Sequence, residues 1–104
     1  MKKFVFAYHG APRFETPDAG KAHMEAWRTW MAGLGGAVID PGLPLGDART
    51  VSADGIENGG GANPLTGITI VTAPDLDTAV AMTKGCPHLN GGTIEVAEAM
   101  DMEM

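Results

Sequence analysis

Positively charged side chains are scarce in this sequence. Only 7 of its 104 residues are lysine or arginine, against 13 aspartates and glutamates, and the formal net charge is −6 at pH 7. Proteins that bind nucleic acid present a cluster of basic side chains to the phosphate backbone, and this chain has no such cluster. We therefore exclude nucleic acid from the expected partners.

Cysteine and long apolar runs are also lacking. Cys86 is the single cysteine, so no disulfide can form within the chain, and a reducing compartment is indicated. No apolar run approaches the roughly 20 residues that a membrane-spanning helix needs. Two lysines precede the first apolar residues, as in a signal peptide, but Tyr8 and His9 end that run early. We predict a cytoplasmic protein that does not associate with membranes.

The clearest element of the sequence is a helix within residues 16–36. Thr16 is suited to cap its N-terminus, Pro17 to occupy its first position, and the glycines at 33, 35 and 36 to end it. One face of this helix combines a histidine with apolar side chains at helical spacing: His23, Trp27, Trp30 and Leu34. We expect this face to pack on the core, with His23 at its edge.

The rest of the chain, read as one domain of residues 1–104, alternates strands with a second helix. Residues 3–8, 37–40, 67–72 and 93–97 have strand character. A second helix opens at residues 73–75 and ends at Gly85, with a buried stripe of Leu76, Ala79, Val80 and Thr83. Residues 41–66 form a long loop with a hairpin, in which 48–51 is a strand and Asp54-Gly55 a turn. Residues 98–104 are predicted to be a frayed acidic tail.

This order predicts an α+β, ferredoxin-like fold, βαβ(β)βαβ, with an antiparallel sheet and two helices on one face. The first strand is apolar on both faces, and Ile68 and Ile70 oppose Val71 on a later strand. Since two helices cover only one face, we expect the other face to be covered by a second copy of the chain in a homodimer.

Several motifs resemble the YCII-related family, also called YciI-like or DGPF-domain proteins. They are His23 in the first helix, Gly85-Cys86-Pro87 after the second, and Gly91-Gly92-Thr93-Ile94-Glu95-Val96 before the C-terminus. The resemblance implies a dimeric α/β barrel with a pocket between the first helix and the sheet, where the helical histidine pairs with a carboxylate. Two features depart from the family pattern: residues 54–57 read Asp-Gly-Ile-Glu rather than Asp-Gly-Pro-Phe, and no acid follows at the end of the first helix.

The predicted catalytic pair is His23 with Asp40, the nearest carboxylate available. A carboxylate beside an imidazole raises its pKa and fixes its tautomer, which suits acid–base chemistry. Seven further residues are predicted to line the pocket or to bind the substrate: Tyr8, His9, Arg13, Trp27, Trp30, Arg49 and His88. The three histidines lack metal-ligand spacing, so no metal or haem cofactor is expected. Cys86 is interpreted as an inert buried thiol.

Two classes of function fit these residues. The chain is either an acid–base enzyme that acts on a small organic acid or lactone-like metabolite, or a non-catalytic dimer that binds a small molecule or serves as a scaffold. The sequence does not identify the substrate or choose between the two classes.

Overall fold

Six strands and two α-helices make up the part of the chain that a computed structural model describes, residues 1–11 and 14–101. In chain order they are β1 (Lys2–His9), α1 (Pro17–Leu34), β2 (Val38–Asp40), β3 (Arg49–Ser52), β4 (Gly55–Asn58), β5 (Leu65–Ala73), α2 (Leu76–Met82) and β6 (Thr93–Ala99). Two short 3-10 turns, Gly35–Ala37 and Pro87–Asn90, follow the two helices.

The main sheet has four strands in the order β2-β5-β1-β6, and all its neighbouring pairs are antiparallel. Strand β1 lies at its centre, with Phe6 opposite Thr69 of β5 and Val96 of β6. The predicted α+β class with an antiparallel sheet and two helices is confirmed, and the strand order is compatible with a ferredoxin-like fold.

The first helix begins and ends where local signals predict. The Thr16 hydroxyl accepts a hydrogen bond from the Ala19 N–H at 3.1 Å, Pro17 is the first helical residue, and Gly35 forms the C-terminal cap with φ +55°. A side-chain acceptor at the N-cap satisfies an N–H group that has no partner within the helix. The four residues of the predicted face, His23, Trp27, Trp30 and Leu34, are all half-buried. Trp27, Trp30 and Leu34 pack against the core.

Both helices pack on the same face of the sheet. Phe4, Phe6 and Tyr8 alternate along β1 and are buried there, together with Val71 of β5 and Ala79 of α2. Because successive side chains of a strand point to opposite faces, Val5 and Ala7 belong to the other face. Both helices therefore cover one side of the sheet and leave the second side open in the single chain.

The buried stripe predicted for α2 is wrong in part. Ala79 is fully buried, but Leu76 and Val80 are 49% and 48% exposed. The helix has only seven residues, so few of its side chains can reach the sheet. The contact runs instead through Ala79 and Met82, one turn apart on the side that faces the core.

The predicted tail also begins too early. Strand β6 continues to Ala99, with Glu98 paired opposite Phe4 and Ala99 opposite Lys3. Strand β1 begins at Lys2, so the backbone groups at its start can pair with β6 beyond residue 97. Residues 102–104 of the predicted tail lie outside the described residues.

Strands β3 and β4 form a separate two-stranded hairpin. Its residues are all exposed, including Val51 and Ile56, which lie opposite each other in the register. The radius of gyration is 15.2 Å, above the roughly 13 Å expected for a domain of 100 residues. The predicted hairpin is present. Its exposed residues and the large radius of gyration indicate that it extends away from the core.

Candidate functional site

A cavity of about 310 Å³ lies between α1, β5 and the segment that follows β2. Helix α1 contributes Met24, Trp27 and Met31 to its wall. Residues 41–44 and 66–69 form two further sides, and Tyr8 and His88 complete the lining. A volume of this size and a mostly apolar wall are typical of sites for small molecules. A second cleft, of about 510 Å³, lies among residues that include Met1, Leu34 and Met82.

The segment 41–44 approaches β5 closely at Gly42, where any larger residue would be strained. Gly42 has φ +77°, and a Cβ atom at this position would overlap the carbonyl oxygen of Ile68. The Gly42 N–H donates to the Asp40 carboxylate at 2.8 Å, and the Leu45 N–H donates to the Thr66 carbonyl at 2.9 Å. One wall of the cavity is thus fixed at both ends.

A chain of hydrogen bonds runs through the lining from β1 to the segment after β2. The Tyr8 hydroxyl donates to the Thr69 hydroxyl at 2.9 Å, and the Thr69 hydroxyl donates to the Pro41 carbonyl at 3.0 Å. Burial raises the pKa of the Tyr8 hydroxyl to about 12. Tyr8 is therefore a neutral phenol at physiological pH, and its proton is directed towards Thr69.

His88 is buried in the 3-10 turn that follows α2. Its Nε2 lies 2.9 Å from the carbonyl oxygen of His9, and because a carbonyl only accepts, Nε2 carries the proton and donates. Gly92 packs directly on this hydrogen bond, since a Cβ there would overlap both Nε2 and the His9 oxygen. The His88 ring lies 5.3 Å from the Tyr8 ring, edge to face. Its position in the wall is fixed by both contacts.

His23 lies beside the cavity, behind the ring of Trp27. The indole Nε1–H of Trp27 donates to His23 Nε2 at 2.7 Å, so this imidazole nitrogen holds a lone pair and the proton is on Nδ1. Burial, with a smaller contribution from repulsion by His88, lowers the pKa of His23. The neutral form of His23 is therefore favoured, with its Nε2 lone pair occupied by a neighbour one helical turn away.

The structure does not bring His23 and Asp40 together. Within residues 1–11 and 14–101, no hydrogen bond or ion pair joins them, and Asp40 accepts instead from the Gly42 N–H in its own turn. The pKa of His23 is shifted downward, opposite to the upward shift that a paired carboxylate would cause. Trp27, at helical spacing i+4, takes the place that the sequence interpretation gave to Asp40.

The two tryptophans of α1 have different surroundings. Trp27 lines the cavity and contacts Tyr8 edge to face, with ring centres 5.1 Å apart. Trp30 packs on Phe6 in the core, and its Nε1–H donates to the carbonyl of Met82 at the end of α2. Trp27 is thus a residue of the site, whereas Trp30 joins the two helices.

Two further predicted residues, His9 and Arg49, lie outside the cavity lining. His9 bonds through Nδ1 to the Asn63 carbonyl at 3.0 Å and through Nε2 to the Glu95 carboxylate at 3.1 Å. Arg49 lies on the exposed hairpin and donates to the Ala48 carbonyl. Arg13 lies outside the described residues. Among the described lining residues there is no lysine or arginine to hold a substrate carboxylate.

Sequence reasoning missed several residues of the lining. Met24 and Met31, which flank Trp27 at helical spacing on the cavity side of α1, are not among the predicted site residues. Thr69 and the segment 41–44 were not considered as a site. Pro41-Gly42 signals a turn in the sequence, but its contact with Ile68 depends on how the chain folds back on β5.

Cys86 and the residue types that bind metals form no metal or nucleophile site within residues 1–11 and 14–101. Cys86 is buried, which raises the pKa of its thiol to about 11 and keeps it protonated at neutral pH. In the described part of the chain, no group of three histidine, cysteine, aspartate or glutamate side chains is placed to hold a metal ion. No helix there combines the length and apolar character that a membrane crossing requires.

No family model matches the chain, and no curated protein matches it. The YCII resemblance rests on the sequence motifs alone, and the geometry of the cavity is the main guide to function.

Proposed function

We propose that this protein is a YCII-like domain that binds a small, uncharged and mostly apolar molecule in the cavity between α1 and β5. The observation that supports this best is the wall itself, in which apolar side chains of α1 and residues 41–44 surround about 310 Å³. Because secondary structure and internal hydrogen bonds already shape this cavity, binding a ligand costs the protein little conformational entropy. Binding, rather than catalysis, is the function that this geometry favours.

Two features of the wall favour an uncharged ligand. No lysine or arginine is among the described lining residues, so a carboxylate entering the cavity would lose water without gaining an ionic partner. Tyr8 is neutral because burial raises its pKa to about 12. The small organic acids considered from the sequence are therefore less suitable ligands than neutral molecules of the same size.

The proposal includes a homodimer built on the open face of the sheet. Val5, Ala7, Ile68 and Ile70 lie on that face, and neither helix covers them. Ile68 is 36% exposed in the single chain. A second copy that packs sheet to sheet would remove this apolar surface from water, as in a dimeric α/β barrel. Tyr8 and Thr69 of the cavity lie on the helix side of the sheet, away from this interface, whereas Ile68 lines the cavity and also belongs to the interface.

Acid–base chemistry is the second candidate, and the lining favours His88 over His23 for it. His88 lies in the cavity wall, and its Nε2–H donates to the His9 carbonyl, so in the neutral ring Nδ1 holds the lone pair that a general base needs. The corresponding lone pair of His23 already accepts from Trp27. An enzyme of this kind would lose turnover but keep ligand affinity when His88 is replaced by glutamine.

Tryptophan fluorescence tests binding at this cavity, because only Trp27 lines it. We would prepare Trp30→Phe, in which Trp27 is the single tryptophan, and titrate it with cyclohexanol, methoxycyclohexane and cyclohexanecarboxylate, which do not absorb near 295 nm. The proposal predicts a saturable change in Trp27 emission with at least one of the neutral compounds. Trp27→Phe, which retains Trp30, is the matched control and should show little change. No saturable response to either neutral compound would overturn the proposal, whether or not the carboxylate gives one.

A further inference from the structure

Every side-chain hydrogen-bond donor in the described lining of the cavity already has an acceptor within the protein. Five lining residues have a side-chain N–H or O–H group: Tyr8, Trp27, Thr66, Thr69 and His88. Tyr8 donates to Thr69, and Thr69 donates to the Pro41 carbonyl. The direction follows from the Pro41 carbonyl, which can only accept: the Thr69 proton is used there, and Tyr8 is the donor to Thr69.

The other three donors are engaged in the same way. Trp27 Nε1–H donates to His23, and His88 Nε2–H donates to the His9 carbonyl. The Thr66 hydroxyl donates to the carbonyl of Gly10 at 2.7 Å and lies 3.2 Å from that of Tyr8. The backbone N–H of Gly42, also in the wall, donates to Asp40. The side chains of the wall have no free proton to give to a ligand.

Some of these side chains can still accept a hydrogen bond from a ligand. The Tyr8 oxygen keeps a lone pair after donating its proton, and the neutral form of the His88 ring keeps one on Nδ1. A ligand hydroxyl or N–H group can bond to such an acceptor, whereas a ligand carbonyl, ether or carboxylate oxygen would meet another lone pair. A buried polar group that is left without a partner costs free energy that the ligand must supply.

We infer that the cavity selects neutral ligands that carry a hydroxyl or N–H group over ligands of similar shape that only accept hydrogen bonds. The selectivity rests on the proposed binding function and specifies its ligand class: small alicyclic or aromatic alcohols, phenols or amines in their neutral form, rather than lactones or carboxylates. The Tyr8–Thr69–Pro41 chain sets this preference, because it fixes the Tyr8 oxygen as an acceptor.

Calorimetric titration of the wild-type protein with the three cyclohexane derivatives measures the selectivity. We expect cyclohexanol to bind about three- to tenfold more tightly than methoxycyclohexane, the range that one neutral hydrogen bond provides, and cyclohexanecarboxylate to bind most weakly. Equal binding of the alcohol and the ether, or tighter binding of the ether, would overturn the selectivity while leaving a binding cavity in place. No binding of either neutral compound would overturn both proposals.

The variant Thr69→Val tests the origin of the selectivity. It removes the acceptor of the Tyr8 proton with little change in side-chain volume, so that proton becomes available to a ligand. The preference for alcohol over ether should then fall to about one or reverse. Thr72→Val, on the same strand, removes a hydroxyl that donates to Ala37 and lies outside this cavity, and should keep the wild-type ratio. An unchanged ratio in Thr69→Val would contradict the inference.

A second variant covers the case in which Thr69→Val does not fold. Tyr8→Phe removes the acceptor oxygen and leaves the aromatic ring in the core. We expect it to bind the ether as well as the wild type does and to lose the three- to tenfold advantage of the alcohol. A retained advantage in Tyr8→Phe would show that this oxygen does not set the preference.

Discussion

Both faces of the sheet carry apolar side chains, but their surroundings differ. On one face, Phe4 and Phe6 of β1 lie fully buried beneath the two helices. On the other face, Val5 and Ala7 of the same strand alternate with them and have no helix above them. The covered face therefore determines the stability of the chain and forms the cavity, whereas we propose that the open face determines association.

The comparison also separates two kinds of polar group. On the covered face, the hydroxyl of Tyr8 and the ring of His88 are held by hydrogen bonds to buried partners. On the opposite side, His9 contacts Glu95, whose side chain is 69% exposed. Ion pairs with such an exposed partner contribute little to stability. A mutation should therefore have different consequences on the two faces.

The largest effect is expected from Phe6→Ala. Phe6 is completely buried and contacts Trp30, so its removal should lower the free energy of unfolding by about 3–5 kcal/mol. Val5→Ala, the neighbouring position on the open face, should cost about 1 kcal/mol when measured at low protein concentration. Urea unfolding followed by tryptophan fluorescence gives both values. Similar losses in the two variants would contradict the assignment of the core to one face.

Association should be most sensitive to a charge on the open face. We expect the wild type to be a dimer at micromolar concentration, and Ile70→Asp to raise its dissociation constant by about 100-fold or more, since the interface would bury an unpaired carboxylate. Val80→Asp, on the half-exposed side of α2, is the control and should leave the dimer intact. Sedimentation equilibrium distinguishes these outcomes, and a monomeric wild type would contradict the dimer.

Two glycine replacements compare the cavity wall with the helix surface. Gly42→Ala forces a positive φ on alanine and an overlap with the Ile68 carbonyl, so we expect a loss of roughly 2–3 kcal/mol in stability. Gly33→Ala meets nothing within 4 Å in α1 and should stabilise the protein by about 0.5–1 kcal/mol. Thermal unfolding measures both. A harmless Gly42→Ala would show that the segment 41–44 is not fixed against β5.

The smallest effect concerns the protonation of His23. Its pKa is lowered in the folded state, so the folded protein binds this proton less readily than the unfolded chain, whose histidine has a pKa of about 6.5. The resulting stability is present above pH 6.5 and is lost as the pH falls through the folded pKa. His23→Gln, which cannot titrate here, should lose less stability than the wild type over this range.

Nuclear magnetic resonance titration of the His23 ring gives the pKa directly. A midpoint below 6.5 agrees with burial and with the Trp27 hydrogen bond. A midpoint above 6.5 would instead support the carboxylate partner that the sequence suggested.

Local signals predicted most of the fold, and contacts between distant residues account for most of what they missed. Thr16-Pro17 and Gly35 defined α1, because capping depends on neighbouring residues. Alternation and β-branched residues located β1 and β5. The Tyr8–Thr69 hydrogen bond joins residues 61 positions apart, and only the strand register brings them together.

The proposed His23–Asp40 pair shows a different limit. The hydrogen bond from Trp27 to His23 spans one helical turn. The i, i+4 spacing contained this information, but Trp27 was predicted as a residue of the pocket and not as a hydrogen-bond donor to His23. Asp40 satisfies Gly42 in a local turn, which short polar side chains before a glycine commonly do. His23 and Asp40 thus each form a hydrogen bond with a residue close in sequence rather than with each other.

The central claim is that the cavity between α1 and β5 binds a small neutral molecule, and methionine methyl resonances test it most directly. Met24 and Met31 line this cavity, whereas Met1 and Met82 line the second cleft. With methyl-labelled protein, saturating cyclohexanol should shift the Met24 and Met31 signals and leave those of Met1 and Met82 nearly unchanged. Shifts confined to Met1 and Met82, or no shifts at all, would contradict the claim.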